Sequence, residues 1–320
     1  MSPLAWIIRA TTLLTPQLNP TRSDQPIVSV IVVSFNGAAD LAPCLGSITR
    51  QTFPALELLV VDNASVDGSA ALAQRDFPRA RLIRNEANLG FAAGCNRGIA
   101  LARGRILFFV NQDAVLHDGC VNAVVSAFET YPDAGIIGCK IYEPDGVTLQ
   151  HAGGTLAPNG LSNHIGRGEV DRGQYDRVAD ATYVTGAALA VRQEVFDRCG
   201  VFNERYFPAY FEETELCLKA RRAGFRVIYL PQAALTHKEA ASSGSSASRG
   251  YRLAYHRNRL RFVVGTSTVR QLFTEFLPSE VRWLLHGAPP WDAPALLEAY
   301  RGALRDVLRG RTGQALKGLR

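Results

Sequence analysis

The chain has 320 residues, 47% of them hydrophobic and 20% charged, which suits one large α/β domain with extensions around a sizeable core. Its formal charge of +6 is a modest excess that fits an anionic substrate or membrane surface and does not by itself indicate nucleic acid. Six cysteines (Cys44, Cys95, Cys120, Cys139, Cys199 and Cys217) are widely spaced with no CxxC pair, so reduced thiols in the cytosol are expected rather than a zinc site or a disulfide framework. No apolar run reaches the roughly 20 residues of a membrane span, and the N-terminus shows no signal-peptide cleavage pattern.

Residues 1–25 read as a leader containing Pro3, Pro16 and Pro20. Residues 27–33 (IVSVIVV) form a continuous apolar, β-branched run, the pattern of a strand covered on both faces. Ser34-Phe35-Asn36-Gly37 closes it, and a helix is expected to about residue 51. A second strand over 56–61 ends at Asp62-Asn63 and leads to a helix over 68–75. A short strand over 80–84, a helix over 91–102, a strand over 105–110 ending at Asn111-Gln112-Asp113, and a helix over 120–130 follow. This alternation predicts a Rossmann-like, doubly wound, mostly parallel sheet flanked by helices, with ligands at the carboxyl ends of its strands. Residues 144–180, rich in Gly, Asp and Arg, read as a long loop or small excursion. A strand over 183–191, a helix over 194–199, a helix over 212–223 with Gly224 as its C-cap, and a strand over 225–230 come next. Residues 239–249 read as a mobile Ser/Ala-rich segment, before helices over 251–264 and 293–308. Six arginines between 249 and 270, with no acid among them, place cationic surface late in the chain.

Three polar clusters sit at strand ends: Ser34/Asn36, Asp62/Asn63 and Asn111/Asp113. Asp62 can accept from a base imide or ribose hydroxyl, or can cap a helix. The turn Asn88-Leu89-Gly90, running into a helix through Gly94 and Asn96, suits an anion or ribose, or close helix packing. Asp113 can bind a hard divalent cation with one further ligand, which His237 is placed to supply. Glu212-Glu213-Thr214-Glu215 follows an aromatic stretch ending Tyr210-Phe211. Acids there complement a helix dipole, while buried rings can raise a carboxylate toward general-base duty.

The segments VSVIVVSFNG, LLVVDNASVDGS, NLGFAAGCNRGI, ILFFVNQDA, the long run VTGAALAV through FEETELCLKARRAGFRV, and LTHKEAASSGSS together resemble family 2 glycosyltransferases of the GT-A fold. The likeness is to the bacterial branch with rhamnosyltransferases and galactofuranosyltransferases, and it runs from about 27 to 262. It implies a GT-A domain over 26–240, with a nucleotide-sugar half at 26–130 and an acceptor/base half at 131–240, and a C-terminal helical extension over 241–320. It implies donor contacts from Ser34, Asn36, Asp62, Asn63, Asn88, Gly90, Asn96 and Asn111, and a divalent metal (Mg or Mn) on Asp113 and His237. Glu213, with Glu212 as rival, would be the base, and Gly186 and Tyr210 would lie on the acceptor side. Two positions depart from the family pattern: Asn111 where Asp can stand, and Glu213 where Asp is more usual. The activity implied is inverting transfer of a sugar, first guess rhamnose from dTDP-rhamnose, to a glycan or lipid-linked glycan in surface polysaccharide synthesis.

A dinucleotide oxidoreductase fits the sheet, but the first turn lacks GxGxxG. A non-catalytic sugar-binding scaffold is the other alternative, opposed by the presence of Asp113 and the Glu212/Glu213 pair. Trp283, Leu284, Leu285 and Trp291, with the basic segment 301–320, suggest peripheral contact with the inner face of the cytoplasmic membrane, or an ordinary packed helix.

Overall fold

The structure, a computed structural model, describes residues 26–239 and 248–308. The expected leader, most of the Ser/Ala-rich segment and the chain past 308 lie outside the described residues. Strands β1 (Val28–Ser34), β2 (Leu56–Asp62), β3 (Arg81–Arg84) and β4 (Ile106–Asn111) pair in parallel in the order β3-β2-β1-β4. They are joined through helices α1 (Ala38–Thr49), α2 (Ser69–Asp76) and α3 (Gly90–Leu101). The interior residues of β1, β2 and β4 are buried almost without exception, because helices cover both sheet faces. Each such Val, Leu or Phe contributes roughly 1.5–3 kcal/mol of apolar burial.

The register places the polar strand ends together: Ser34 lies opposite Asp62, and Asn111 opposite Val33. Strand order reverses direction across β1, which is where a doubly wound sheet opens a ligand crevice.

Beyond β4 come a short β5 (Ala114–Leu116), helix α4 (Cys120–Thr130) and strand β6 (Ala134–Tyr142). The sequence reading did not anticipate β6, because two glycines interrupt its apolar run. The structure explains both: a Cβ on Gly138 would fall 2.3 Å from Val184, and one on Gly135 2.7 Å from Phe225 Cβ. Residues 144–180 are ordered rather than a plain loop. They carry β7 (Leu149–His151), a β8–β9 hairpin (Gly154–Leu156 and Ser162–His164) and β10 (Ala179–Asp180).

The expected strand at 183–191 is shorter, β11 (Ala188–Arg192), and it runs antiparallel between β4 and β6. Helices α5 (Gln193–Cys199) and α6 (Glu212–Arg222) follow. The next strand, β12 (Arg226–His237), outruns the expected 225–230. Pro231 reads as a stop, yet the strand shifts register between Leu230 and Ala234 and continues. Its far end pairs with β5, His237 opposite Ala114, and this carries His237 beside Asp113.

The C-terminal part holds α7 (Arg249–Thr266), α8 (Val269–Gln271), a π turn over Leu272–Phe276, α9 (Leu277–His286) and α10 (Ala293–Leu308). The segment 269–286 was not anticipated as helix. Of the six late arginines, Arg270 is exposed while four are engaged in ion pairs. Arg259 is fully buried against Glu280, while Arg249, Arg252 and Arg261 pair with Glu298, Asp292 and Asp306. All six cysteines are free thiols. Among the described residues no helix is long and apolar enough to cross a membrane.

Candidate active site

A cavity of about 800 Å³ opens at the carboxyl ends of β1 and β4. Val33, Phe35, Asn63, Asn88 and Gly90 line it, with Asn111 and Asp113 from the end of β4 and Gly186, Tyr210, Glu212 and Glu213 from the later half of the chain. The segment over 183–187 lies before the strand, and Tyr183, Thr185, Gly186 and Ala187 of it line this space. A Cβ on Gly186 would come within 3.9 Å of the Glu213 carboxyl carbon.

The Asp113–His237 pair is set by strand pairing. Asp113 Oδ1 lies 3.2 Å from His237 Nε2, and Asn111 Nδ2 lies 3.2 Å from the same nitrogen. Gln150, which sequence reasoning missed, decides the ring's tautomer. Its Nε2 donates to His237 O and to Glu143 Oε2, each at 3.2 Å, so its Oε1 accepts from His237 Nδ1 at 2.7 Å. Nε2 is then an acceptor that faces both the Asn111 amide and the Asp113 carboxylate. An imidazole nitrogen beside a carboxylate is a donor set that fits a divalent metal. Among the described residues no group of three or more His, Cys, Asp or Glu forms a complete protein cage.

The acidic doublet opens α6. Tyr210 and Phe211 both hold left-handed backbone, φ 81° and 77°, before it. Such conformations in non-glycine residues cost on the order of 1–3 kcal/mol each and need outside support. Asn258 of α7 supplies it, its Nδ2 donating to Tyr206 O and Ala209 O at 2.7 Å each. Phe91 N donates to Pro208 O at 2.8 Å from the other side. Burial, then the neighbouring Glu213 charge, pushes the Glu212 carboxyl well above the usual range. Burial raises Glu213 to about 7. The Oε2 atoms of both are buried without a hydrogen-bond partner. Glu215, the third acid, is spent structurally, accepting from Asn203 and pairing with Lys219 at 2.7 Å.

The nucleotide-side residues divide. Ser34 Oγ and Asp62 Oδ1 are buried without partners, although neither lines the cavity. Asn36 is exposed, and its Oδ1 accepts from Val66 N. Asn63 bridges Gly90 O and Asn85, and Asn88 Oδ1 accepts from Gly90 N, so both hold the turn that borders the cavity. Gly90 sits at φ 82°, and a Cβ there would lie 2.8 Å from Pro208 O. Asn96 is not brought to the cavity. Its amide donates to Phe202 O and Glu204 and accepts from Phe202 N, an anchor for the 202–204 segment.

Sequence reasoning also missed the cavity's far wall. Tyr251, Arg252, Tyr255, His256, Trp283 and Trp291 come from the C-terminal helices, so the extension closes the site. His164 lines the same cavity and contacts buried His151, with ring nitrogens 3.0 Å apart; burial lowers His164 to about 4.

Polar strand ends of a parallel sheet, the Asp113–His237 pair and a buried carboxylate doublet thus meet around one cavity. The model of glycosyl transferase family 2 matches residues 29–200, over half of the chain, and the chain belongs to that family. An uncharacterized Sinorhizobium fredii protein, y4gI, is 32% identical over 244 residues, covering 72% of this chain and 26% of that protein. The chain thus spans only 26% of the length of that relative. The N-acetylglucosaminyl-diphospho-decaprenol L-rhamnosyltransferase of Mycobacterium tuberculosis is 25% identical over 284 residues, 82% of this chain and 90% of that one. O-antigen biosynthesis protein RfbC of Myxococcus xanthus is 32% identical over 233 residues, 69% of this chain and 18% of that one. Among solved structures, GalNAc-T7 with UDP, GalNAc and Mn2+ superposes with TM-score 0.63 at 14% identity, covering 90% of this chain and 58% of that one. The mannosyltransferase PcManGT of Pyrobaculum calidifontis, in complex with GDP-Man and Mn2+, gives 0.55 at 21% identity, covering 90% and 80%. The fold is that of these GT-A glycosyltransferases.

Proposed function

We propose that the protein transfers a sugar, with inversion, from a nucleotide-sugar to a hydroxyl of a glycan or lipid-linked glycan. The observation that carries this reading is one cavity bordered both by the Asp113–His237 pair and by the raised carboxylate of Glu213. Asp113 and His237 would hold a divalent cation, with the diphosphate as co-ligand. When bound, that cation supplies positive charge for the leaving diphosphate.

The chain's own groups do the rest. The turn at Asn88–Gly90 borders the donor side. Glu213, held near neutrality, accepts the proton of the acceptor hydroxyl as that oxygen attacks the anomeric carbon and the diphosphate departs from the opposite face. Glu212 is buried more deeply, with its carboxyl pushed well above the usual range by burial and the Glu213 charge, which favours Glu213 as the base. Gly186 leaves room for the acceptor beside that carboxyl, and Tyr210 packs against Tyr251 to shape the same wall. The L-rhamnosyltransferase of Mycobacterium tuberculosis supports rhamnose as the first sugar to try, offered as dTDP-rhamnose, and the O-antigen biosynthesis protein of Myxococcus xanthus supports surface polysaccharide synthesis as the setting. A nucleotide-sugar screen reading released nucleoside diphosphate tests the assignment. Turnover with at least one donor, lost in Asp113→Ala, is expected; turnover unaffected by Asp113→Ala removes the metal role.

A further inference from the structure

Helix α9 is inverted relative to an ordinary surface helix. It buries a carboxylate, Glu280, and exposes Leu277, Val281, Leu284 and Leu285. At about 100° per residue these four fall within an arc of about 100°, and exposed Phe273 precedes them by one turn. The buried side shows why the stripe faces outward. Arg259 grips Glu280 through two bonds of 2.6 and 2.8 Å and also donates to Asn159 O, while Tyr300 donates to Glu280 from α10. Trp283 turns inward, its ring 5.1 Å from the Arg259 guanidinium. The helix therefore cannot rotate its leucines inward without breaking a buried ion pair. Contiguous apolar stripes of this kind on a soluble surface mark a contact site.

The stripe adjoins the cavity. Trp283, Gly287, Pro289 and Trp291 line its wall, and Trp291 is 66% exposed at the rim. Exposed Arg270 and Arg282 lie along the same segment, with Glu275 its one exposed carboxylate, and α10 adds exposed Arg301 and Arg305. Past residue 308 the sequence adds Arg309, Arg311, Lys317 and Arg320 with no acid. A second copy of the chain on this face would set arginine rim against arginine rim about a two-fold axis. An anionic surface neutralises them.

We infer that α9 docks on an anionic lipid bilayer, with Phe273, Leu277, Val281, Leu284 and Leu285 in the acyl–headgroup boundary and the arginines on lipid phosphates. This sets the cavity rim, at Trp291, against the membrane. The inference goes beyond the transferase reading, and flotation needs no turnover, so either can fail alone. The test is flotation of the full chain with phosphatidylglycerol–phosphatidylcholine vesicles against pure phosphatidylcholine. Wild-type protein should float with the anionic vesicles and be released by high salt. Leu284→Glu/Leu285→Glu should bind about tenfold or more weakly. Arg270→Gln/Arg282→Gln, which leaves the apolar stripe intact, should lose the preference for anionic vesicles. Absence of wild-type flotation overturns the proposal, as does equal flotation of the leucine variant. A wild-type dimer in sedimentation that the leucine variant converts to monomer gives the face to a second copy instead.

Discussion

Glu212 and Glu213 are chain neighbours whose surroundings separate them, and the separation has a pH consequence. An unperturbed glutamate titrates near 4.5, whereas Glu213 in the folded protein is raised to about 7 by burial. Between those values the native state keeps a proton that the unfolded chain has released. The stability Glu213 contributes is therefore complete below about 4.5 and lost as pH rises through about 7. Activity should move the other way, because a base must be ionised: kcat/KM should climb with a midpoint near 7. Glu213→Gln should cut transfer by about 10²–10⁴-fold or more and abolish that limb. Persistence of the limb in Glu213→Gln would move the base elsewhere. Gln150 permits a second test at this scale. Gln150→Leu should weaken manganese binding, measured by electron paramagnetic resonance with a nucleoside diphosphate present, by about 10–100-fold. Unchanged affinity would mean that His237 needs no such partner.

At the scale of elements, the glycines of α3 set how closely the helix lies on the sheet. A Cβ on Gly94 would fall 2.7 Å from Val33 Cγ1, and one on Gly98 2.5 Å from Ile31 Cγ2. Alanine gains up to about 1 kcal/mol of helix propensity, but overpacking at such distances costs about 1–3 kcal/mol. Gly94→Ala should thus destabilise the protein in urea unfolding; a neutral or stabilised variant would show that the helix can shift freely. Asn258 joins two elements far apart in sequence, α7 and the loop before α6. Asn258→Ala leaves two carbonyls without their donor, each worth about 1–3 kcal/mol. It should lower kcat more than it raises the donor KM, since it disturbs the base and not the nucleotide side; an unchanged kcat would contradict that role. Much at this scale was legible from sequence. The strands and helices from 28 to 130 follow continuous apolar runs closed by polar turns. What escaped were elements whose pattern is broken for a packing reason: β6 by Gly138, which must lie under Val184, and β12 by Pro231, which sits in a register shift.

For the whole molecule, the C-terminal helices complete the cavity wall, and the buried Arg259–Glu280 pair ties α7 to α9 while Asn159, from the hairpin of the sheet domain, bonds to both partners. Breaking it by Glu280→Ala should cost about 3–5 kcal/mol, because Arg259 would stay buried without its partner. Replacing both residues by apolar ones of similar size should cost much less. Equal losses in the single and double variants would deny the pair its anchoring role. This part of the site was invisible in the sequence. The arginines of 249–270 read as a solvated basic surface, and only the fold shows Arg259 buried and Arg252 turned toward Asp292 at the cavity wall. The cavity wall that carries Asn63, Asn88 and Asp113 was legible because short motifs close each strand. The far wall was not, because its residues are scattered over 251–292 and meet only in three dimensions. The most direct test of the account is release of nucleoside diphosphate from a cognate nucleotide-sugar and acceptor, with manganese, by wild-type, Asp113→Ala and Glu213→Gln proteins that bind the nucleotide measurably. The account predicts turnover in the wild type alone, with Asp113→Ala weakened in metal-dependent nucleotide binding and Glu213→Gln binding normally but inactive. Turnover by Glu213→Gln at the wild-type rate would contradict it.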